Sequence, residues 1–384
     1  MMVYHNYRFN INKHKRQRPT HGPKTALCIP CKGINSDFER NITSFFHQDY
    51  NNYILRFVVE DYSDPAYKKL CELKNKLDPV SKAINIEILI AGRNISGNCS
   101  QKNHNLLYCC AKAIDKVEAL AFADSDICVR KDWLSHLIYP LRQEKNGVSS
   151  GYRWFIPKNN TIAELTLSAL NAKVAQLLGN TRFNQVWGGT MAIRTKVFKD
   201  LEIDKLWSKT ISDDLSLSYA VKRAGYKVAF VPACLAASYE QIDWKGLFEF
   251  GRRQFLITRV SAGLTWIMGL SGAVLSVFGP ILTAGMGLYI LQEQHTGGWI
   301  LMAVPLMLLS VQFMEAMLRQ IMIRKMFSNA KEQTKKASVF DMIMFWPMSC
   351  LLLLLIIMSA FGKTIRWRGI RYRLLGPTET ILLD

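Results

Sequence analysis

The chain lacks the features that would mark a secreted, zinc-bound or nucleic-acid-binding protein. Its first 24 residues contain no Asp or Glu and no apolar core, so they do not read as a signal peptide. They carry Arg8, Lys13, Lys15, Arg16, Arg18 and Lys24, and residues 1–24 are expected to form a flexible cytoplasmic arm. Nine cysteines include Cys28-x-x-Cys31 and adjacent Cys109-Cys110, but no second Cys/His pair stands at zinc-finger spacing. ALCIPC therefore reads as a buried strand and its exit. Three stretches lack every Asp, Glu, Lys and Arg: 262–291, 296–314 and 342–362. Each is near or above the roughly 20 residues a helix needs to cross about 30 Å of hydrocarbon, where only regular structure satisfies its own backbone. These absences define a membrane protein. The formal charge of +19 would suit nucleic acid, yet much of the excess lies in the arm and beside the apolar runs, where anionic headgroups attract it. A membrane surface, and no nucleic acid, is the expected partner.

What is present between residues 25 and 243 is a β-α-β rhythm. TALCIP, YILRFVVED, INIEILIAG and EALAFADSD read as strands, and ERNITSFFHQDY, PAYKKLCELKNKL and QKNHNLLYCCAKAID as helices between them, which predicts an α/β domain with a mostly parallel sheet. Ligands of such sheets collect beyond the carboxyl ends of the strands, so Glu60, Asp61 and Asp64, the stretch from Gly92 to Lys102, and Asp124 with Asp126 matter most. Later, Gly188 and Gly189 permit a turn or a close approach to a ligand. Ser212 is a candidate N-cap for a helix ending at Gly225, with Asp213 and Asp214 in its first turn, where the helix dipole favours negative charge.

Residues 244–261 mix Trp, Phe and Leu with Lys245, Arg252, Arg253 and Arg259 and read as an amphipathic interfacial helix. The membrane region, 262–362, would hold three or four segments, with crossings near 262–291, 296–316 and 342–362. The loop 319–336, with six basic residues against one acidic, fits the cytoplasmic side. Three crossings would put the basic tail, 363–384, on the opposite side, so a break at Gly279-Pro280 is a candidate for correcting the parity.

Two carboxylates on a loop after a strand, Asp124 and Asp126, offer hard oxygens suited to Mg²⁺ or Mn²⁺. An ion held there with open positions can take diphosphate oxygens and stabilise charge on a departing nucleotide diphosphate. The accompanying base would come from Asp213 or Asp214, since a positioned carboxylate can accept a hydroxyl proton. Arg252 and Arg253 could hold a diphosphate or the acceptor head through charge-assisted hydrogen bonds.

Taken together, CKGINSDFERNITSFFHQDY, VVEDYSDPAY, QKNHN, FADSD, WGGTMAIR and ISDDLSLSYAVKRAGYKVAF resemble the ceramide glucosyltransferase family and its bacterial relatives, within the wider inverting family-2 glycosyltransferases. The resemblance covers about 28–260, with a weaker echo in WRGIRYRLLG. It implies a GT-A, Rossmann-like nucleotide-diphospho-sugar domain on the cytoplasmic face, followed by transmembrane helices in a plasma (inner) membrane if the source is bacterial. It implies a nucleotide-sugar donor such as a UDP-sugar, a membrane lipid acceptor, and Mg²⁺ or Mn²⁺. Asp61 would contact the donor base, Lys102 would lie near the donor, Asp124 and Asp126 would hold the metal-diphosphate, and Asp214 would be the catalytic base. Asp213 takes the Glu position beside it and, with Gly188 and Gly189, falls on the acceptor side. The family's (Q/R)-x-x-R-W signature would fall at Gly251–Phe255, where Phe255 replaces the tryptophan and the arginine register differs, so that Arg252 or Arg253 substitutes or the diphosphate contact is arranged otherwise. The N-terminal membrane helix usual in the family is not expected from this arm. A processive polysaccharide synthase is the nearest rival, short of helices to line a channel; a non-catalytic membrane scaffold is the other, although every acidic position remains.

Overall fold

The computed structural model describes residues 2–94, 98–327, 330–367 and 370–383. Residues 95–97 of the Gly92–Lys102 stretch, 328–329 of the basic loop and 368–369 of the tail echo lie outside the described residues. The chain divides into two compact units: a sheet unit of Phe9–Trp154, Leu178–Tyr239 and Lys363–Asp384, and a helical unit of Met1–Arg8, Phe155–Leu177 and Glu240–Gly362.

The expected flexible arm is a helix, α1 (Met2–His14). Val3, Asn6, Asn10 and His14 recur at helical spacing and are all buried. Asn6 Nδ2 donates to the Leu177 carbonyl at 2.9 Å, and Asn10 Nδ2 to the Leu178 carbonyl at 3.2 Å. The charges that suggested a solvated arm sit on the other faces.

In the sheet unit, β1 (Thr25–Pro30), α2 (Phe38–Phe46), β2 (Tyr53–Val59), α3 (Pro65–Leu77), β3 (Asn85–Ile90), α4 (Gln101–Ala113), β4 (Ala119–Ala123) and α5 (Trp133–Ile138) follow the predicted alternation. Then come β5 (Asn146–Pro157), α6 (Ile162–Ala175), β6 (Thr190–Arg194), α7 (Thr195–Asp200), α8 (Ile203–Trp207), α9 (Asp213–Arg223) and β7 (Lys227–Glu240). The strands form one sheet in the order β3-β2-β1-β4-β6-β5-β7. β3, β2, β1 and β4 are parallel, whereas β6 runs antiparallel to β4 and β5. Both faces are covered, as a parallel sheet requires. Leu27 and Ile29 pack with Phe45, Phe57 and Leu134 on one side, Ala26 and Cys28 with Leu106, Cys109 and Trp207 on the other. Cys28 and Cys31, three apart on an extended chain, belong to opposite faces, which separates the two thiols.

The helical unit contains α6 together with α10 (Trp244–Ser261), α11 (Gly263–Gln292), α12 (Gly298–Met326), α13 (Lys331–Ile343) and α14 (Phe345–Ala360). Among the described residues, α11 and α12 are the two helices long and apolar enough to span a bilayer, and the count rises to three if α13 and α14 form one bent span. The second count coincides with the lower end of the expected three or four. At 1.5 Å per residue α11 and α12 are each about 45 Å long, and Leu264, Leu275, Ile300 and Leu306 are exposed along them. Most of the run 342–362 is α14, which meets α13 at an 84° bend. Gly279-Pro280 does not break α11, which passes unbroken through Pro280. A proline cannot donate to the carbonyl four residues back. Here that carbonyl, on Ser276, accepts from Gln312 Nε2 of α12 at 3.0 Å, so a neighbouring helix supplies the missing donor.

The basic tail is folded too. β8 (Thr364–Trp367), β9 (Ile370–Gly376) and β10 (Glu379–Leu382) make an antiparallel sheet that belongs to the sheet unit. The Thr380 amide donates to the Lys209 carbonyl at 2.9 Å.

Candidate active site

Strand β4 is wholly buried and ends at Ala123, so the chain emerges from the sheet at Asp124. Beside it β6 runs the other way, with Thr190 opposite Ala123, and the Asp124 amide donates to the Gly189 carbonyl at 3.3 Å. This pairing sets WGG against DSD. Helix α4 is fastened nearby: Ser100 caps it through the Asn103 amide at 3.1 Å, and Asn103 Nδ2 reaches the Thr210 carbonyl at 2.7 Å, just before α9. Its second residue, Lys102, therefore lies between the two acidic motifs. Lys102 Nζ is 2.8 Å from Asp124 Oδ1 and 3.0 Å from Asp213 Oδ2. Burial alone would lower the pKa of this ammonium, but Asp124 and Asp213 outweigh it and raise it.

Ser212 caps α9 as predicted, accepting from the Leu215 amide at 3.1 Å. The adjacent carboxylates then part company. Asp213 is buried, its side chain 5% exposed; burial, opposed by Lys102 and assisted by Asp214 and Asp124, pushes its pKa up to about 6. Asp214 is half-buried. Its Oδ2 accepts from the Gly188 amide at 3.0 Å, and its Oδ1 from Ser212 Oγ at 2.5 Å and the Leu215 amide at 2.8 Å. The bonds of the first turn thus go to Asp214, while Asp213 joins Lys102. Gly188 is obligatory for this arrangement, because a Cβ there would stand 2.3 Å from Asp213 Oδ2; one on Gly189 would stand 2.1 Å from the Trp187 ring.

Asp126 Oδ1 is buried and has no hydrogen-bond partner among the described residues. Burial first, then the neighbouring Asp124, raises the Asp126 pKa. A buried carboxylate oxygen without a donor, beside a second carboxylate, fits a cation that takes hard oxygen ligands. Among the described residues no group of three or more His, Cys, Asp or Glu side chains could hold a metal. Asp124 and Asp126 would thus supply only part of a coordination shell, the pattern of Mg²⁺-type sites completed by phosphate and water.

Asp61 lies elsewhere on the same edge. It is exposed, after the carboxyl end of β2, and accepts from the Ser63 amide at 2.7 Å, a bond that holds its pKa below the ordinary value. β2, β1 and β4 are adjacent and parallel, so Asp61 and Asp124 both lie beyond the carboxyl ends of strands, two strands apart. Asp64 caps α3 through the Ala66 amide and also takes the Gly33 amide at 2.8 Å; it shapes the loop. Arg252 and Arg253 lie on α10 of the helical unit. Arg252 Nη2 donates to the Phe361 carbonyl at 3.1 Å, and the Arg253 guanidinium lies 5.6 Å from the Phe250 ring centroid. Two residues absent from the sequence reading also stand at the cluster. Arg153 of β5 is 3.6 Å from Asp124 Oδ2 and 4.8 Å from the Trp187 ring centroid. Their only signal was a charge inside an apolar strand and an aromatic before two glycines.

A parallel sheet with a carboxylate pair at the end of β4, a reversed strand next to it and a second acidic pair opening α9, followed by long apolar helices, is a GT-A glycosyltransferase fold with a membrane region. More narrowly, the chain belongs to glycosyl transferase family 21, the ceramide-glucosyltransferase-like family, whose model matches residues 1–379. Among solved structures it is similar to a mannosyltransferase, PcManGT from Pyrobaculum calidifontis, in complex with GDP-Man and Mn²⁺. Identity there is 12% over 92% of this chain and 94% of that one, with a TM-score of 0.42. It is also similar to GalNAc-T7 with UDP, GalNAc and Mn²⁺, at 13% identity over 60% of this chain and 48% of that one, with a TM-score of 0.37. At those scores neither likeness bears on the chemistry.

Proposed function

We propose that this chain is an inverting hexosyltransferase that moves a sugar from a nucleotide diphosphate, a UDP-sugar being the first candidate, to a hydroxyl of a membrane lipid. The observation that carries the reading is Lys102 at 2.8 Å from Asp124 and 3.0 Å from Asp213: it ties the donor-side pair to the acidic pair that opens α9. Asp61, farther along the same edge, is assigned the donor base, and Lys102 the phosphates. Asp124 and Asp126 would hold Mg²⁺ or Mn²⁺, which when bound would neutralise charge on the departing diphosphate.

The acceptor oxygen attacks the anomeric carbon as the bond from that carbon to the diphosphate oxygen breaks, the electron pair leaving with the diphosphate. Asp214 takes the acceptor proton. Its carboxylate is oriented by the Gly188, Leu215 and Ser212 donors and is half-exposed, whereas Asp213 is buried against Lys102. One displacement on one face gives inversion.

The sheet unit also bears on topology. It contains chain from before and after the membrane helices, so the number of crossings between them is even. α11 and α12 supply two, and α13–α14 then does not cross. The sheet unit and the tail are assigned to the cytoplasmic side. Tags placed before α1 and after Leu383 should be protected or digested together; opposite accessibility would remove this topology.

The activity is tested with purified protein in lipid, a panel of nucleotide sugars, and Mg²⁺ or Mn²⁺. Sugar should appear in an extractable lipid with wild type and not with Asp214→Asn. A wild type that binds no nucleotide sugar under any metal condition would leave the scaffold reading instead.

A further inference from the structure

Resting on the reading above, we propose that Arg153 is a donor-binding residue whose guanidinium holds the diphosphate. The family's signature arginine has no match in register at Gly251–Phe255, and the helical unit gives nearby arginines other work. Arg252 donates to the Phe361 carbonyl, and Arg259 to those of Ala360 and Gly362. These carbonyls close the C-terminus of α14, where unpaired acceptors and the negative end of the dipole require cations.

Inside the sheet unit Arg153 joins Lys102 as a second cation beside the donor-side pair. It is half-buried, its side chain 18% exposed. Its guanidinium lies 4.8 Å from the centroid of Trp187, the residue before the turn whose Gly188 amide holds Asp214. A flat aromatic beneath a guanidinium fixes its plane and reduces the freedom lost when it forks onto a phosphate. Its ion pair with Asp124 is long, 3.6 Å. By contrast, the purely internal Arg319–Asp341 pair closes at 2.6 and 2.5 Å. A guanidinium beside a metal-type carboxylate pair is placed for the phosphate oxygens those carboxylates would share. Lys102 is a point charge on the other carboxylate oxygen, so the two cations approach Asp124 from Oδ1 and Oδ2 and bracket the diphosphate position.

The experiment compares nucleoside diphosphate with monophosphate on the full chain in lipid, with Mg²⁺ or Mn²⁺ present, using UDP and UMP, with GDP and GMP in parallel. Arg153→Gln should weaken diphosphate binding by about 10- to 100-fold, the range of a lost charge-assisted pair, while monophosphate binding stays within about twofold. Arg153→Lys should fall between, because it keeps the charge and loses the fork. Unchanged monophosphate binding also shows that a variant is folded. A diphosphate preference that survives in both variants, or equal loss of both ligands, would overturn the assignment; if Arg153→Gln does not fold, the ratio in Arg153→Lys decides. Wild-type protein that prefers diphosphate while the variants keep that preference removes Arg153 only. Wild type that binds neither ligand removes the transferase reading with it.

Discussion

Each unit of the molecule buries a cluster of charge built from the same kinds of side chain, and the two clusters balance differently. In the helical unit, Arg319 meets Asp341 through two bonds of 2.6 and 2.5 Å, Gln320 adds a third donor to Asp341 at 2.6 Å, Gln176 accepts from Arg319 at 3.2 Å, and Ser338 donates to Gln320 at 2.9 Å. In the sheet unit, Lys102 is shared between Asp124 and Asp213, Arg153 stands farther off, and Asp126 Oδ1 has no donor among the described residues. The first network is closed and fixes α12, α13 and α6 to one another. The second gathers more carboxylate than the cations described around it, a cost that a proton or a bound cation would relieve.

The sharpest break of that comparison is Asp214→Asn. Loss of the base should lower transfer by about 10²- to 10⁴-fold with nucleotide binding intact, and near-wild-type turnover would move the base elsewhere. Asp341→Asn probes the closed side: one partner of a buried pair is removed, and thermal or denaturant unfolding in detergent should show a loss of about 3–5 kcal/mol, with transfer by the surviving folded protein unchanged.

His14 offers a case of a buried group held in its neutral form. Burial and the Arg130 guanidinium push its pKa down to about 4 from 6.5. Between those values the unfolded chain binds more protons than the native state, so this contribution is complete above pH 6.5 and is lost as the pH falls through 4. Wild type should therefore lose about 1–2 kcal/mol between pH 7 and 5 that His14→Gln does not; parallel pH profiles would show that the imidazole is not so held. The smallest expected effect has the opposite sign to Asp341→Asn. Asp126→Asn removes a buried charge of which one oxygen has no donor among the described residues and should raise stability by about 1 kcal/mol in chelator, while abolishing any protection by Mn²⁺. Destabilisation like that of Asp341→Asn would make Asp126 a structural residue.

The sheet was legible in the sequence because its signals are local: short apolar strands, amphipathic helices, a carboxylate pair directly after a strand and a serine cap before α9. The parts that were not legible depend on partners far along the chain. α1 is ordered by carbonyls at Leu177 and Leu178, and β10 by Lys209, and no window of sequence joins these. The apolar run 342–362 concealed the bend at Met344 because apolar character does not report direction. Asp213 and Asp214 were told apart in the sequence by the resemblance alone; neighbours on a helix point about 100° apart, and the position of Lys102 says which one turns inward. Arg153 left a single charge in an apolar strand as its whole signature.

The tail sheet has a consequence for how the protein is made. Lys209 leaves the ribosome well before Thr380, and both long apolar helices emerge between them. The seven-stranded sheet is complete by Glu240, but its contact with β10 can form only after both long helices have been made. The last contact of the sheet unit is therefore made by the last part of the chain, and its formation follows the synthesis of the whole apolar region.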